Sequence, residues 1–441
     1  MSARIIADNI FYVIGAAAML VVPVGTLAQD EAESPDDLTP SVEEAVEIEV
    51  RREDEATLIE DPEAQRRARA LAARETEIAM GTAETPEAKP EAFMPSGSLE
   101  FYASARAHVI NNYDVETSET STKVGDGNSR AGVRAEWEYK PGWYVYSRAE
   151  IGLLLFDTYS TRTGTSSDNE LDLRLAYVGL DHENLTLTAG KNWSAYYKVA
   201  GVTDRFAIFG GSASGTYHAG TAGEASGIGR AKDVFQASVY VNPGEKLFRN
   251  IKPFNVNVQY QLGQDIPFAG TEKYDYSYGM SAVLETKSEY ALGIAYNFAS
   301  VPDGRAAIQD AGIEGDATAL AISTRMYGNR WYAGLLVSKL NNMQTTDQNR
   351  YFNATGVELY AQWEVMDNWW LIGGANALEP DSEDPDVGMY RVRYVVLGGR
   401  YSFDSFKRMA YVEYRIDEGR RFDGGRNKDE LTIGVRWDFG E

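Results

Sequence analysis

The chain has 441 residues, 42 basic and 66 acidic, a formal net charge of -24, no cysteine and three histidines. Zero cysteine excludes a disulfide framework, a thiolate zinc site and a cysteine nucleophile. So acidic a chain also lacks the basic footprint that nucleic acid requires. All eight Trp, 26 of the 27 Tyr and 38 of the 41 Gly follow residue 96, so the last 345 residues are a different material from the first 96.

Residues 1–28 read as a secretory signal peptide. Arg4 precedes an apolar run from Ile10 to Gly25, and Thr26-Leu27-Ala28 offers a small-x-small cleavage site before Gln29. The run is interrupted by Pro23 and is shorter than the roughly 20 residues a membrane-spanning helix needs.

Residues 29–96 hold 20 acidic and 7 basic residues, with no Trp or Tyr and only Gly81. Such a stretch cannot bury a core by itself. Helix signals are present: Asp61 can cap, Pro62 suits the first helical position, Glu63 suits the dipole and Gly81 can end the helix. Ala64, Ala68, Leu71, Glu75 and Ile78 fall at heptad spacing. Two readings stay open for this acidic periplasmic segment: a linker with a transient helix, or a short oligomeric coiled coil.

From residue 98 the hydrophobic period becomes 2. Leu99, Phe101, Ala103, Ala105, Ala107 and Val109 alternate with Glu100, Tyr102, Ser104, Arg106 and His108. Near the C-terminus, Leu431, Ile433, Val435, Trp437 and Phe439 alternate with Glu430, Thr432, Arg436 and Asp438. Whole strands thus place charges of both signs on one face, as a wet lumen requires. Trp143, Trp331, Trp369, Trp370, Trp437 and Phe439 stand at strand ends, where rings form interfacial girdles. Short turns (140–142, 181–184, 285–288, 327–330) alternate with long loops (111–128, 156–168, 301–315, 378–388).

This pattern predicts an all-β, 16-stranded antiparallel transmembrane barrel over 97–441, its first and last strands paired because lipid tolerates no open edge. The strands are expected near 98–110, 129–139, 143–154, 169–181, 185–194, 232–242, 254–263, 273–284, 289–300, 316–326, 331–341, 352–364, 368–377, 389–402, 407–417 and 428–439. In the strand at 389–402, Val395, Leu397 and Tyr401 are assigned to lipid, which leaves Arg400 inside. A barrel of this size leaves an aqueous channel. The 37 residues from Ala195 to Ala231 form a loop too long to be a simple connection, rich in Gly, Ala and Ser, and able to fold inward.

An ordered set of short motifs runs through this region: Asn128-Ser129-Arg130-Ala131-Gly132, Leu173-Arg174-Leu175-Ala176-Tyr177-Val178-Gly179-Leu180 and Ala189-Gly190-Lys191-Asn192-Trp193. Thr203-Asp204-Arg205-Phe206, Phe209-Gly210-Gly211 and Ser226-Gly227-Ile228-Gly229-Arg230 follow, and the last strand ends in aromatics. In these residues the chain resembles the Gram-negative general porin family, over all of 97–441. The resemblance implies a homotrimer in contact through the early strands, and a third loop folded into the lumen opposite basic wall residues. Arg130 and Lys191 match two wall positions and Asp204 an acidic loop position. Arg130 faces inward by parity. Lys191 reaches the lumen only if its strand bulges, with Gly190 the candidate. The chain departs from the family pattern at Ile208 and Ser212, where acids are expected, and at Ser238, where a base is expected. It also runs past its terminal aromatic to Gly440 and Glu441.

The candidate pore constriction is therefore Arg106, Arg130, Arg148, Arg174 and Lys191 on the wall, with Asp204 and Arg205 on the loop. Arg134 shares their face, as do Glu100, Glu136, Glu138, Glu150 and Asp172. Selectivity depends on geometry at the narrowest point, so the sequence does not give its sign. The run Glu379, Asp381, Glu383, Asp384 and Asp386 reads as a solvated loop tip or a divalent-cation bridge to lipid headgroups. The small Ala103, Ala105 and Ala107 suit a close subunit contact. The expected function is passive diffusion of small hydrophilic solutes and ions across the outer membrane. The alternative is a sugar-specific channel, whose aromatic track Tyr102, Tyr144, Tyr146, Tyr240 and Tyr360 could supply. His108, His182 and His218 form no recognisable catalytic set. A structural tether built on 29–96 is a further reading. No metal motif, phosphate loop or nucleotide fingerprint occurs, so no cofactor is expected.

Overall fold

The computed structural model describes residues 96–155, 171–242, 250–381, 387–404 and 407–440. The expected signal peptide, the segment at 29–95 and the loop at 156–168 lie outside the described residues, as do 382–386 of the acidic run.

Seventeen strands form one antiparallel sheet: β1 (Ser96–Tyr113), β2 (Thr120–Asp126), β3 (Ser129–Lys140), β4 (Trp143–Leu153), β5 (Leu171–His182), β6 (Leu185–Trp193), β7 (Arg230–Val241), β8 (Phe254–Leu262) and β9 (Tyr276–Glu285) come first. They continue with β10 (Tyr290–Ala299), β11 (Ala317–Gly328), β12 (Trp331–Thr345), β13 (Tyr351–Met366), β14 (Trp369–Pro380), β15 (Val392–Asp404), β16 (Arg408–Asp417) and β17 (Asp429–Phe439). Two short helical turns interrupt the loops, α1 (Tyr197–Ala200) and α2 (Ala306–Asp310). The sheet closes on itself where Ala103–Tyr113 of β1 runs against Phe439–Asp429 of β17. Closure leaves no backbone edge facing lipid, where each unpaired N–H or C=O would cost several kcal/mol.

Seventeen strands make sixteen walls, because β2 and β3 are one wall in two pieces. Thr120–Asp126 pairs with the upper half of β1, from Tyr113 down to Ala107, and Arg130–Glu138 pairs with its lower half, from Ser104 to Ser96. The break falls at Gly127 and Asn128, the latter at φ 69, a left-handed conformation that Asn tolerates better than most residues. This corrects the expectation of a long loop over 111–128. That segment is mostly a hairpin, closed by a tight turn in which the Asp114 carboxylate accepts the N–H groups of Glu116 and Thr117. The loop expected at 378–388 likewise starts later, because β14 runs to Pro380.

The period-2 pattern places its apolar set on the outside. Leu99 is 61% exposed and Phe101 70%, and Val178, Phe235, Ile294, Ile322, Leu371 and Ile433 are exposed in the same way. In water such a belt would be an aggregation surface; on a barrel it is the lipid-facing band. Trp331, Trp369, Trp437 and Phe439 are exposed at its margin, as girdle residues should be. Trp370 is not one of them. It is 4% exposed, on the inner face opposite Arg400, because it neighbours the outward Trp369 and a strand must alternate. In β15, Leu397 is exposed and Arg400 is buried inside, as expected, but Val395 is only 3% exposed and does not reach lipid.

Candidate functional site

The segment between β6 and β7, residues 194–229, folds into the barrel and returns along its own path. The inner face it lies on is made small: Ala291, Ala295 and Ala299 of β10 and Ala317, Ala319 and Ala321 of β11 are all buried. That row leaves room for α1, whose Val199 sits against Gly293. Further along, Gly356 of β13 approaches the Ala213 carbonyl so closely that a Cβ there would lie 2.0 Å from its oxygen. Two apolar clusters seat the loop. Tyr196, Val199, Ala213 and Ile228 meet Leu336, Leu340 and Met343. Phe206, Ile208 and Phe209 meet Tyr332, Tyr360, Tyr394 and Tyr411.

Polar anchors fix the loop's course. Gln259 of β8 accepts from the Ala195 N–H at 2.6 Å and donates to the Gly227 carbonyl at 2.7 Å, holding the outgoing and returning arms together. On β13, Glu358 accepts the N–H groups of Ala213 and Ser214, each at 2.7 Å, and the Thr203 hydroxyl at 2.6 Å. On β16, Glu413 accepts the N–H groups of Ala207 at 2.7 Å and Ile208 at 3.1 Å. Both carboxylates have 0% exposure. Arg400 donates to the Arg205 carbonyl at 2.5 Å and lies 3.4 Å from Glu413. The Tyr332 hydroxyl donates to the Val202 carbonyl and the Ser338 hydroxyl to the Ala213 carbonyl. A loop of this length buried without such partners would strand its backbone groups. Every anchor named here stands on β8, β12, β13, β15 or β16.

The inner face of β1 and β3–β5 carries a different set. Glu150 of β4 receives Arg148 at 2.6 Å, Arg174 at 2.8 Å and the Tyr102 hydroxyl at 2.8 Å, while Arg148 also donates to that hydroxyl at 2.7 Å. Arg134 lies over the Tyr102 ring, 4.4 Å from its centroid. Arg106 donates to the Ser104 hydroxyl at 2.8 Å. Arg130 is buried in the same wall, opposite Gly152 of β4 and beside Ser104 of β1. Arg174 reaches this face because the β4–β5 register slips, Glu150 pairing with Leu175 and Ile151 with Leu173, so that Arg174 is the extra residue of a bulge.

Of the residues expected at the constriction, Arg106, Arg130, Arg148 and Arg174 come together on this wall. Lys191 is also drawn inward, and by the means anticipated: the β6–β7 register shifts between Gly190 and Asn192, with Gly190 at φ 131. Its ammonium bonds Glu224 of the inserted loop at 2.8 Å and the Leu173 carbonyl at 2.5 Å, so it ties loop to wall. Glu224 also bridges Lys232 at 2.5 Å. Asp204 stays within the loop, where Tyr197 and Tyr217 donate to it at 2.9 and 2.8 Å. Arg205 lies over the Tyr332 ring of β12 at 3.8 Å, away from the arginine wall. Glu358, Glu413 and Arg400 complete the site. The sequence analysis places Arg400 inside but singles out neither Glu358 nor Glu413, and it does not reveal that a loop covers all three.

Three of the tyrosines proposed as a track are engaged in packing or pairing on the wall. Tyr360 is buried under the loop against Phe206, Tyr146 is buried against Tyr177, and Tyr102 belongs to the arginine cluster. The three histidines stand apart. His108 is on β1, His182 stacks on Trp143 at 3.9 Å, and His218 bonds the Gly215 carbonyl inside the loop. In the acidic run, Glu379 pairs with Arg393 at 3.3 Å, and Asp381 pairs with Lys339 and accepts from Thr355 at 3.0 Å.

A closed barrel with a lipid-facing belt, a polar interior and a loop folded into its lumen is an outer-membrane channel. A model of the Gram-negative porin family matches residues 70–441, and the chain belongs to that family. Outer membrane porin N of Escherichia coli (strain K12) is 23% identical over 360 residues, 73% of this chain and 88% of the relative. Outer membrane porin PhoE of Citrobacter freundii is 25% identical over 373 residues, 82% of this chain and 98% of the relative. Among solved structures, Salmonella typhi OmpF in complex with daunomycin superposes with a TM-score of 0.61 at 17% identity, covering 77% of this chain and 97% of that one. The anion-selective porin from Comamonas acidovorans gives 0.55 at 13% identity, covering 78% and 100%. The barrel is thus a porin of the outer membrane, and fold and family point to a channel for passive diffusion rather than to an enzyme.

Proposed function

We propose that small hydrophilic solutes and ions diffuse through this barrel between the inserted loop and the wall of Arg106, Arg130, Arg148 and Arg174, with no bound cofactor. The observation that carries the reading is the pinning of residues 194–229 to β8, β12, β13, β15 and β16 by buried side chains, which fixes the loop in the lumen. Lys191, Asp204 and Arg205 then act by holding the loop in place. We further propose a homotrimer joined through the outer face of β1, where Ala103, Ala105 and Ala107 permit close approach, with residues 1–28 removed on export and 29–96 left in the periplasm. OmpT of Vibrio cholerae, a structural neighbour, has been solved in a trimer form, which favours this assembly.

The test is single-channel recording of the refolded protein in a planar bilayer. Conductance steps in groups of three that saturate with no sugar fit a general porin trimer. Saturable block by a single sugar would replace this reading with a specific channel. A folded protein without conductance would end it.

A further inference from the structure

A second loop is built as firmly as the inserted one. It joins β10 to β11 at the long-loop end of the barrel, residues 300–316, and carries α2. Asn342, on the bulge of β12, fixes its returning arm. The Asn342 amide donates to the Glu314 carbonyl at 2.9 Å and the Asp316 carbonyl at 3.0 Å, and its oxygen accepts the Glu314 N–H at 3.3 Å. The Asp316 carboxylate accepts the Val301 N–H at 3.0 Å, which ties the two ends of the loop together. The Ala311 carbonyl, just after α2, accepts the Tyr351 N–H of β13 at 2.8 Å. Ile308, Ala311 and Ile313 then pack with Tyr351, Phe352 and Val387.

This framework encloses a cavity of about 460 Å³, lined by none of residues 194–229. That volume lies within the range of small-molecule sites. Its floor is apolar, made by Ile308 and Phe352, each 4% exposed. Four exposed polar side chains line it as well: Asp303, Gln309, Glu314 and Asn353. Among the described residues, the side chains of Asp303, Gln309 and Glu314 take part in no hydrogen bond or ion pair. Asn353 accepts the Asn342 N–H at 2.9 Å through its oxygen, which leaves its NH₂ group to donate. Arg305 lines the cavity too and lies 3.8 Å from Glu272. The site thus combines two carboxylate acceptors, two amides and a small apolar floor on a backbone that is already fixed. A preorganised site of this kind loses little freedom when it binds.

We propose that this cavity binds a neutral saccharide of one or two rings. A sugar ring presents hydroxyl groups at its edge, which both donate and accept, and a C–H face that suits an apolar floor. Carboxylates accept hydroxyl protons in strong, charge-assisted hydrogen bonds, and the amides of Gln309 and Asn353 supply donors for the remaining oxygens. An anion would meet Asp303 and Glu314, and a wholly apolar molecule would strip them of water without replacing its hydrogen bonds. The site is a docking place at the rim, separate from conduction through the lumen, and it stands whether or not the pore reading does.

The test is isothermal titration of D-glucose, and then maltose, into the refolded full-length protein in an amine-oxide detergent that carries no sugar. The expected result is saturable binding at a single site per chain. Asp303→Asn/Glu314→Gln keeps the shape of the cavity and removes its charge, and should weaken binding by about fivefold or more. Gln309→Trp fills the cavity from an exposed position and should abolish binding. Both variants should keep the heat-dependent gel mobility of the folded barrel and its single-channel conductance. Absence of saturable binding with both sugars would overturn the proposal. Binding of wild-type strength in both variants would place the sugar elsewhere and overturn the assignment of this cavity. Sugar block of the channel that survives in Gln309→Trp would move the sugar into the lumen, against both this proposal and the general-porin reading; loss of binding with conductance unchanged would support both.

Discussion

Glu150 and Glu358 are both buried inward carboxylates, yet they do different work. Glu150 is the shared counter-charge of Arg148 and Arg174 and accepts the Tyr102 hydroxyl. Removing one partner of a buried ion pair leaves the other uncompensated, at a cost of about 3–5 kcal/mol. Glu150→Gln should therefore lower the unfolding temperature of the barrel, and it should also raise anion preference, since the remaining wall gains net positive charge. A bilayer recording and a heat-shift gel on the same variant check both. Glu358 instead anchors the loop. Glu358→Ala leaves the N–H groups of Ala213 and Ser214 and the Thr203 hydroxyl without their acceptor, each at about 1–3 kcal/mol. The expected outcome is a mobile loop: a noisier open-channel current and an altered mean conductance. A quiet current of wild-type size would show that the apolar clusters alone hold the loop. Parity made the inward direction of Glu150 legible, because a charge between lipid-facing residues has to point inward, whereas Glu358 was not singled out. Their partners were not legible, since they come from residues 24 and 145 positions away.

At the scale of elements, the strands that alternate cleanly were readable to within a few residues, and the pieces that break alternation were not. β2 was missed because Thr120–Lys123 is polar throughout and gives no period. It is a strand because β1 offers it a backbone ladder. Two of the bulges, those that turn Lys191 and Arg174 inward, were read unevenly. The one at Gly190 was anticipated from the mismatch between Lys191 and its strand's parity, whereas the one that turns Arg174 inward left no glycine to mark it. A bulge that depends on Gly190 can be tested directly. Its φ of 131 disfavours any side chain, and an added Cβ would sit 2.2 Å from the Ala176 carbonyl oxygen. Gly190→Ala should shift the β6 register and pull Lys191 off Glu224. Sensitivity of the returning arm to protease added from the extracellular side should then rise. Gly356→Ala is the companion case on the far wall, where the obstacle is the loop itself. Here the barrel should persist while the loop is displaced, so conductance changes with little loss of barrel stability.

At the scale of the molecule, closure is what makes the barrel a single unit. β1 pairs with β17 along Ala103–Tyr113 and with β2 and β3 along its other edge, so the backbone ladder is complete from Ser96 to Phe439. The composition shift at residue 96 made this boundary readable, since nearly all the Gly and aromatic residues that build turns and girdles lie beyond it. Among the described residues, the strands run from Ser96 to Phe439. The acidic segment lacks the apolar content to add a core of its own. A chain lacking residues 29–95 should accordingly refold into a barrel with the conductance and permeability ratio of the full-length protein. If the truncated chain gave a barrel of normal heat stability but a different permeability ratio, the net charge of -13 carried by 29–96 would have to act on the pore entrance.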